Sequence, residues 1–158
     1  SIGFYTDPVS FESNYANIEG TNNAKGIETM VSFVASNKLK FKANYTFTDV
    51  EEPLKRLIPK HKANVNLDYD FSEKMNFTIS YQYVDHRKDL FFDGGTYETV
   101  PVQLESYQLV NAIGNFKIIK NRFSLFASVN NIFNSNFTEN IGYSTRGRNF
   151  KIGLNIMF

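Results

Sequence analysis

Apolar and polar residues alternate along most of this chain. Leu39, Phe41, Ala43, Tyr45 and Phe47 share one parity, and Lys40, Lys42, Asn44, Thr46 and Thr48 take the other. Ala63, Val65, Leu67, Tyr69 and Phe71 alternate with Asn64, Asn66, Asp68 and Asp70, and Phe77, Ile79, Tyr81 and Tyr83 alternate with Asn76, Thr78, Ser80 and Gln82. Ile27, Thr29, Val31, Phe33 and Ala35 repeat the pattern, as do Phe123, Leu125, Ala127 and Val129, although Phe126 breaks the polar side. Side chains of a strand point to opposite faces in turn, so a period of two predicts strands with one apolar face. Residues 105–119 are less regular: Tyr107 and Leu109 share one parity, while Val110, Ala112, Phe116 and Ile118 share the other. A bulge near Leu109 would reconcile them, because one extra residue flips the face.

The connections alternate in length. Ser36-Asn37-Lys38, Ser72-Glu73-Lys74 and Lys120-Asn121 read as tight polar turns, whereas long polar stretches run over 7–24, 49–60, 87–104 and 132–147. An up-and-down sheet then has every short turn at one end and every long loop at the other. The final segment places Phe150, Ile152, Leu154, Ile156 and Phe158 on one parity and finishes on an aromatic ring. Outer-membrane barrels have an outward apolar band, aromatic girdles, short periplasmic turns and long extracellular loops. The expected fold class is therefore all-β: an antiparallel, up-and-down transmembrane β-barrel segment of about eight strands. Residues 1–6 read as the tail of one of these, which favours a fragment of a larger barrel.

Composition sharpens this picture. Only 42% of the 158 residues are hydrophobic, and no run of them is long enough for a membrane-spanning helix. A soluble lipid-binding barrel shows the same alternation with its faces inverted. Two features favour the membrane: the 16 Phe and 9 Tyr gather near strand ends, and the polar face is rich in Asn, Thr, Ser and Lys, as a wet lumen requires. The net charge of +1, with its cations scattered, implies no nucleic-acid partner. The absence of cysteine excludes disulfides and thiolate chemistry.

Five stretches carry a family likeness. They are Tyr15-Ala16-Asn17 with Lys25-Gly26-Ile27-Glu28; Asn44-Tyr45-Thr46-Phe47-Thr48-Asp49; Arg56-Leu57-Ile58-Pro59-Lys60-His61-Lys62; Asn130-Asn131-Ile132-Phe133-Asn134; and Gly142-Tyr143-Ser144-Thr145-Arg146-Gly147-Arg148-Asn149-Phe150. In this order and spacing they resemble the last third of the barrel of TonB-dependent outer-membrane receptors, with a layout similar to cobalamin and siderophore receptors. The resemblance implies a barrel of roughly 22 strands around an amino-terminal plug. Residues 1–158 would be its carboxyl-terminal segment, with the plug and remaining strands absent. It also implies a location in the outer membrane of a Gram-negative bacterium, among lipid and lipopolysaccharide. The other partners implied are a small-molecule solute of siderophore or cobalamin type and an inner-membrane energy-coupling protein, engaged through the absent amino-terminal region.

Solute contacts are expected in the long loops, where Phe91, Phe92, Tyr97, Asn140 and Tyr143 offer apolar area with a few polar groups. The same residues could instead pack the loops together. Phe150, Ile152, Leu154, Ile156 and Phe158 are expected to face lipid. Gly26 fits a close backbone approach, and Asn130, Asn131 and Asn134 fit a turn. An unbroken register points Arg146 and Arg148 outward; a bulge at Gly147 turns them inward. His61 and His86 are expected in solvated loops, and Asp89, Asp93 and Glu98 lack calcium-loop spacing, so neither metal nor cofactor is expected. No nucleophile–base pattern points to an enzyme. The alternative reading is a self-contained small outer-membrane barrel with a structural or adhesive role.

Overall fold

The computed structural model describes residues 2–7, 9–17, 23–51, 56–119 and 122–157. Its strands are β1 (Ile2–Thr6), β2 (Ser13–Asn17), β3 (Ala24–Ser36), β4 (Leu39–Val50), β5 (His61–Asp70), β6 (Met75–Val84), β7 (Arg87–Asp93), β8 (Glu98–Leu104), β9 (Tyr107–Ile119), β10 (Phe123–Asn130) and β11 (Asn149–Ile156). Seven of them form one antiparallel sheet in the order β11-β10-β9-β6-β5-β4-β3. This meander is interrupted where β7 and β8 leave it as a separate hairpin. Residues 2–6 do not join the wall; they pair with Ser13–Asn17, inside a stretch expected to be loop. The turn at Lys120-Asn121 and the terminal Phe158 lie outside the described residues.

Register carries the alternation across the wall. Phe33, Phe41, Leu67, Ile79, Ala112, Val129 and Phe150 are successive partners on one face. Val34, Lys40, Asp68, Thr78, Ile113, Ser128 and Lys151 are successive partners on the other. A slip of one residue anywhere would put polar groups among the apolar ones, so the pattern itself holds the register. Pairing of β6 with β9 is unbroken from Met75–Phe116 to Val84–Tyr107, so no bulge occurs at Leu109. The irregularity falls instead where Phe123 and Ser124 meet β9. Tyr107 and Leu109 therefore stand on the polar face.

The apolar face of the wall is uncovered: Ile27, Phe33, Ile79, Ile152 and Leu154 are all exposed. Such a face, seven strands wide, suits lipid rather than water. Rings mark its two limits. Tyr45 and Phe47 meet His61 near the long-loop end, and Tyr69 meets Phe71 near the short-turn end. From His61 to Tyr69 the strand rises about 27 Å, or roughly 21 Å of height at a tilt of about 40°, close to the apolar band of outer-membrane barrels. Buried apolar side chains among the described residues are Val50, Val84, Leu104 and Tyr107. All four sit at the long-loop end, so the packed part of the molecule lies where the loops meet.

Candidate functional site at the long-loop end

Only two residues, Asp85 and His86, separate β6 from β7, so the first residues of β7 stay close to the rim of the wall. Arg87, Asp89 and Phe91 share one face of β7, opposite Leu104, Val102 and Val100 of β8. Arg87 and Asp89 are buried, at 8% and 3% exposure, which is rare for charged groups and needs local compensation.

Arg87 is held by the 131–148 loop and by β9. Its Nη2 donates to the Thr138 carbonyl at 2.7 Å and its Nη1 to the Glu139 carbonyl at 3.4 Å. The guanidinium lies 5.4 Å from the centre of the Tyr107 ring, a cation–π contact. Tyr107 packs against Phe137 at 4.8 Å between ring centres and donates its hydroxyl to Glu139 Oε1 at 3.2 Å. Arg87 Nε is buried without an acceptor.

Asp89 is held by Arg56, just before β5, and lies beside Ile141 of the 131–148 loop. Arg56 Nε donates to Asp89 Oδ1 at 2.7 Å, from a side chain that is 59% exposed. The Leu90 amide donates to the same oxygen at 2.8 Å, and the Ile141 amide nearby also favours the charged carboxylate. Burial alone would raise the Asp89 pKa, but these hydrogen bonds and the Arg56 charge outweigh it and hold the carboxyl below the ordinary aspartate range. Between these positions, Arg56 bridges Lys88 in parallel fashion and the Leu57 amide donates to the Lys88 carbonyl at 2.8 Å.

Asp85 closes the base. Its amide donates to the His61 carbonyl at 2.9 Å, and its Oδ1 lies 2.8 Å from both the His86 amide and His86 Nδ1. Burial pushes the Asp85 carboxyl up, but the bonds to His86 and the nearby imidazoles bring it below the usual range. His86 is in a loop, as expected. His61 is not: it opens β5, with Nδ1 2.7 Å from the Tyr45 hydroxyl.

The solute-contact candidates fall into two groups. Phe91, Phe92 and Tyr97 sit on the β7–β8 hairpin, where Phe92 and Tyr97 meet edge to face at 6.4 Å and Phe91 points to the opposite side. Tyr97 adopts a φ of 58° and its amide closes the turn onto the Asp93 carbonyl at 2.7 Å. Asn140 and Tyr143 share one turn of the 131–148 loop, the Tyr143 amide donating to the Asn140 carbonyl at 3.3 Å. Arg87, which the sequence did not single out, and Asp89, weighed there only as a calcium ligand, are what join the two groups. Asp93 accepts the Gly95 amide at 2.8 Å in the hairpin turn, which is its structural use.

Asn131 and Asn134 anchor the start of the 131–148 loop with φ of 52° and 55°, a region Asn tolerates. The Asn131 side chain exchanges two bonds with the Ser135 backbone, and Asn134 Oδ1 accepts the Arg148 amide at 2.9 Å. Arg146 and Arg148 are exposed in this loop, before the paired residues of β11 begin. Phe150, Ile152, Leu154 and Ile156 are exposed on the apolar face of β11. A cavity of about 570 Å³ opens at the opposite, short-turn end, lined by Lys38, Asp70, Phe71, Met75, Asn76 and Lys117, remote from the loop cluster.

Residues 2–132 match the family described as TonB dependent receptor-like, beta-barrel. The chain is 25% identical over 152 residues to the vitamin B12 transporter BtuB of Vibrio cholerae serotype O1, covering 94% of this chain and 24% of that protein. In solved structures it resembles the pyoverdine outer membrane receptor FpvA of Pseudomonas aeruginosa PAO1 (TM-score 0.77, 16% identity, 100% of this chain and 25% of that one). It also resembles the ferric-catecholate import receptor Fiu of E. coli K12 (TM-score 0.74, 16% identity, 98% and 23%). The chain thus spans about a quarter of the length of these relatives.

Proposed function

We propose that this chain, which belongs to the TonB dependent receptor-like β-barrel family, serves outer-membrane uptake of a scarce solute of siderophore or cobalamin type. The family is one of Gram-negative outer-membrane proteins and gives no support to an enzymatic reading. Residues 1–158 would form the carboxyl-terminal part of the barrel wall, and the plug and remaining strands would belong to other parts of the receptor. Coupling to the inner-membrane energy-transducing protein would run through its amino-terminal region.

One observation carries the reading: the buried groups of the wall and loops converge at the end where the long loops meet, and Phe91, Phe92, Tyr97, Asn140 and Tyr143 are exposed on those loops. Rings and amides on a rigid base can capture a solute by apolar area plus a few directional bonds. The polar wall face, including Asn111, Asn130, Ser128 and Lys151, then offers a wet path inward. Lipid would contact the opposite face through Phe150, Ile152, Leu154 and Ile156, with lipopolysaccharide around the upper rim.

The test is growth of a strain lacking the receptor gene, supplied in turn with ferric siderophores of catecholate, hydroxamate and mixed type and with cobalamin as the limiting source. Loss of growth on one of them, restored by the gene, supports the reading. Unimpaired growth on all, together with an intact gene product near the mass of this chain, favours a small self-contained barrel instead.

A further inference from the structure

The loops of the long-loop end meet on three consecutive residues of β7. Arg87 reaches the carbonyls of Thr138 and Glu139, the Lys88 backbone holds Arg56 and Leu57, and Asp89 takes Arg56. A single attachment would leave the hairpin free to rotate about it. Attachments at 87 and 89, about 7 Å apart along a strand, with a backbone pairing between them, remove that freedom. The charges are also placed so that partial release is unfavourable: a buried carboxylate without its cation is strongly destabilised, as is a buried guanidinium without its carbonyls.

We propose that Arg87 and Asp89 are positioning residues that clasp residues 56–60, the 85–106 hairpin and the 131–148 loop into one body. The clasp fixes the spacing between the hairpin tip at Tyr97 and the Asn140–Tyr143 turn before any solute arrives. Preorganisation of this kind reduces the ordering cost of binding. Arg56 is the exposed half of the clasp and Asp89 the buried half, so the Arg56–Asp89 pair is where solvent or a competing anion would act first. The consequence for solute capture rests on the uptake reading above; the mechanical coupling of the loops does not.

The experiment is pulsed electron paramagnetic resonance on the whole receptor carrying spin labels at Tyr97→Cys and Tyr143→Cys. This chain has no cysteine of its own, and any elsewhere in the receptor would be replaced. A narrow distance distribution is expected without solute, with at least a twofold broadening in Asp89→Asn and in Arg87→Gln. Arg56→Lys, which keeps the cation, should stay nearer the parent width than Arg56→Gln. Unchanged width in Asp89→Asn and Arg56→Gln, or a broad distribution in the parent, overturns the proposal. Should Asp89→Asn fail to reach the outer membrane, Arg56→Gln gives the same comparison from an exposed side chain. Failure of every solute in the growth test would remove the uptake reading and leave this measurement standing.

Discussion

Phe126 lies over Gly153. The two are register partners on β10 and β11, and a Cβ added at residue 153 would fall within van der Waals overlap of the Phe126 ring. This explains the aromatic residue that interrupts the polar side of β10: its ring covers the glycine across the strand pair. Phe77 and Gly114 make the same arrangement on the apolar face, where an added Cβ would approach the ring to 3.2 Å.

Gly153→Val should weaken the pairing of β10 with β11 by about 1–3 kcal/mol, the usual cost of overpacking a filled site. Phe126→Ala should restore much of that loss in the double variant, because the ring is what the new side chain meets. Urea unfolding of the folded barrel, followed by its gel mobility with and without heating, checks the pair. Additive losses in the double variant would show that the ring and the glycine act independently.

Leu154→Arg should impair assembly, since Arg on the lipid face near the bilayer midplane costs about 2–4 kcal/mol. Asn155→Arg should be tolerated, because residue 155 pairs with Ser124 on the polar face while Leu154 pairs with Leu125 on the other. Outer-membrane levels of the two variants measure the difference. Equal levels would mean that the apolar face of β11 does not meet lipid.

The wall was legible in the sequence because its two faces differ sharply in polarity. Residues from Leu39 to Thr48 and from Ala63 to Asp70 alternate without exception, and each lies within an observed strand. The β7–β8 hairpin was not legible. Arg87-Lys88-Asp89-Leu90-Phe91-Phe92 has no period of two, since one face is clasped by other loops at its base and exposed at its tip. Its one local signal was Asp93-Gly94-Gly95, which forms the turn. The buried role of Arg87 and Asp89 was not legible for a related reason. A charged pair in a polar loop reads as solvated, and only loops distant in sequence, carrying Arg56 and Thr138 to Ile141, make burial affordable there. The bulge expected near Leu109 came from treating apolar residues as outward at every height, whereas Tyr107 is inward and covered by Phe137.

Asn131 should be hard to replace. It is 4% exposed with φ of 52°, its side chain bonds the Ser135 amide and carbonyl, and its amide donates to Asn111 Oδ1 at 2.8 Å. Asn131→Ala loses both side-chain bonds and adds backbone strain, a loss of about 2–3 kcal/mol in local stability. Asn131→Gly keeps the backbone freedom and should lose less. Cleavage rates in the 131–148 loop under native-state proteolysis should rank parent, Gly and Ala in that order. A Gly variant cleaved as fast as Ala would assign the whole effect to the side-chain bonds.

Acid should loosen the loops through Asp89. Its folded pKa is depressed, so its contribution to stability is complete above the unfolded aspartate value of about 3.9 and is lost as pH falls through that value toward the folded one. The charged and titratable groups around it are Arg56 just before β5 and Arg87 on the same face of β7, with Tyr107 and Glu139 against Arg87 and the Asp85–His86 pair at the base. Neutralising the carboxylate would leave Arg56 without its ion-pair partner, so the hairpin should separate from Arg56 and Leu57 before the wall strands part. Hydrogen-exchange protection of the Leu57 and Leu90 amides reports this directly, since one bonds the Lys88 carbonyl and the other the Asp89 carboxylate. Protection should begin to fall as the pH drops below about 4 in the parent and stay level in Asp89→Asn, while amides of β5 and β6 remain protected in both. An equal fall in the Asn variant would place the acid sensitivity on Asp85 instead.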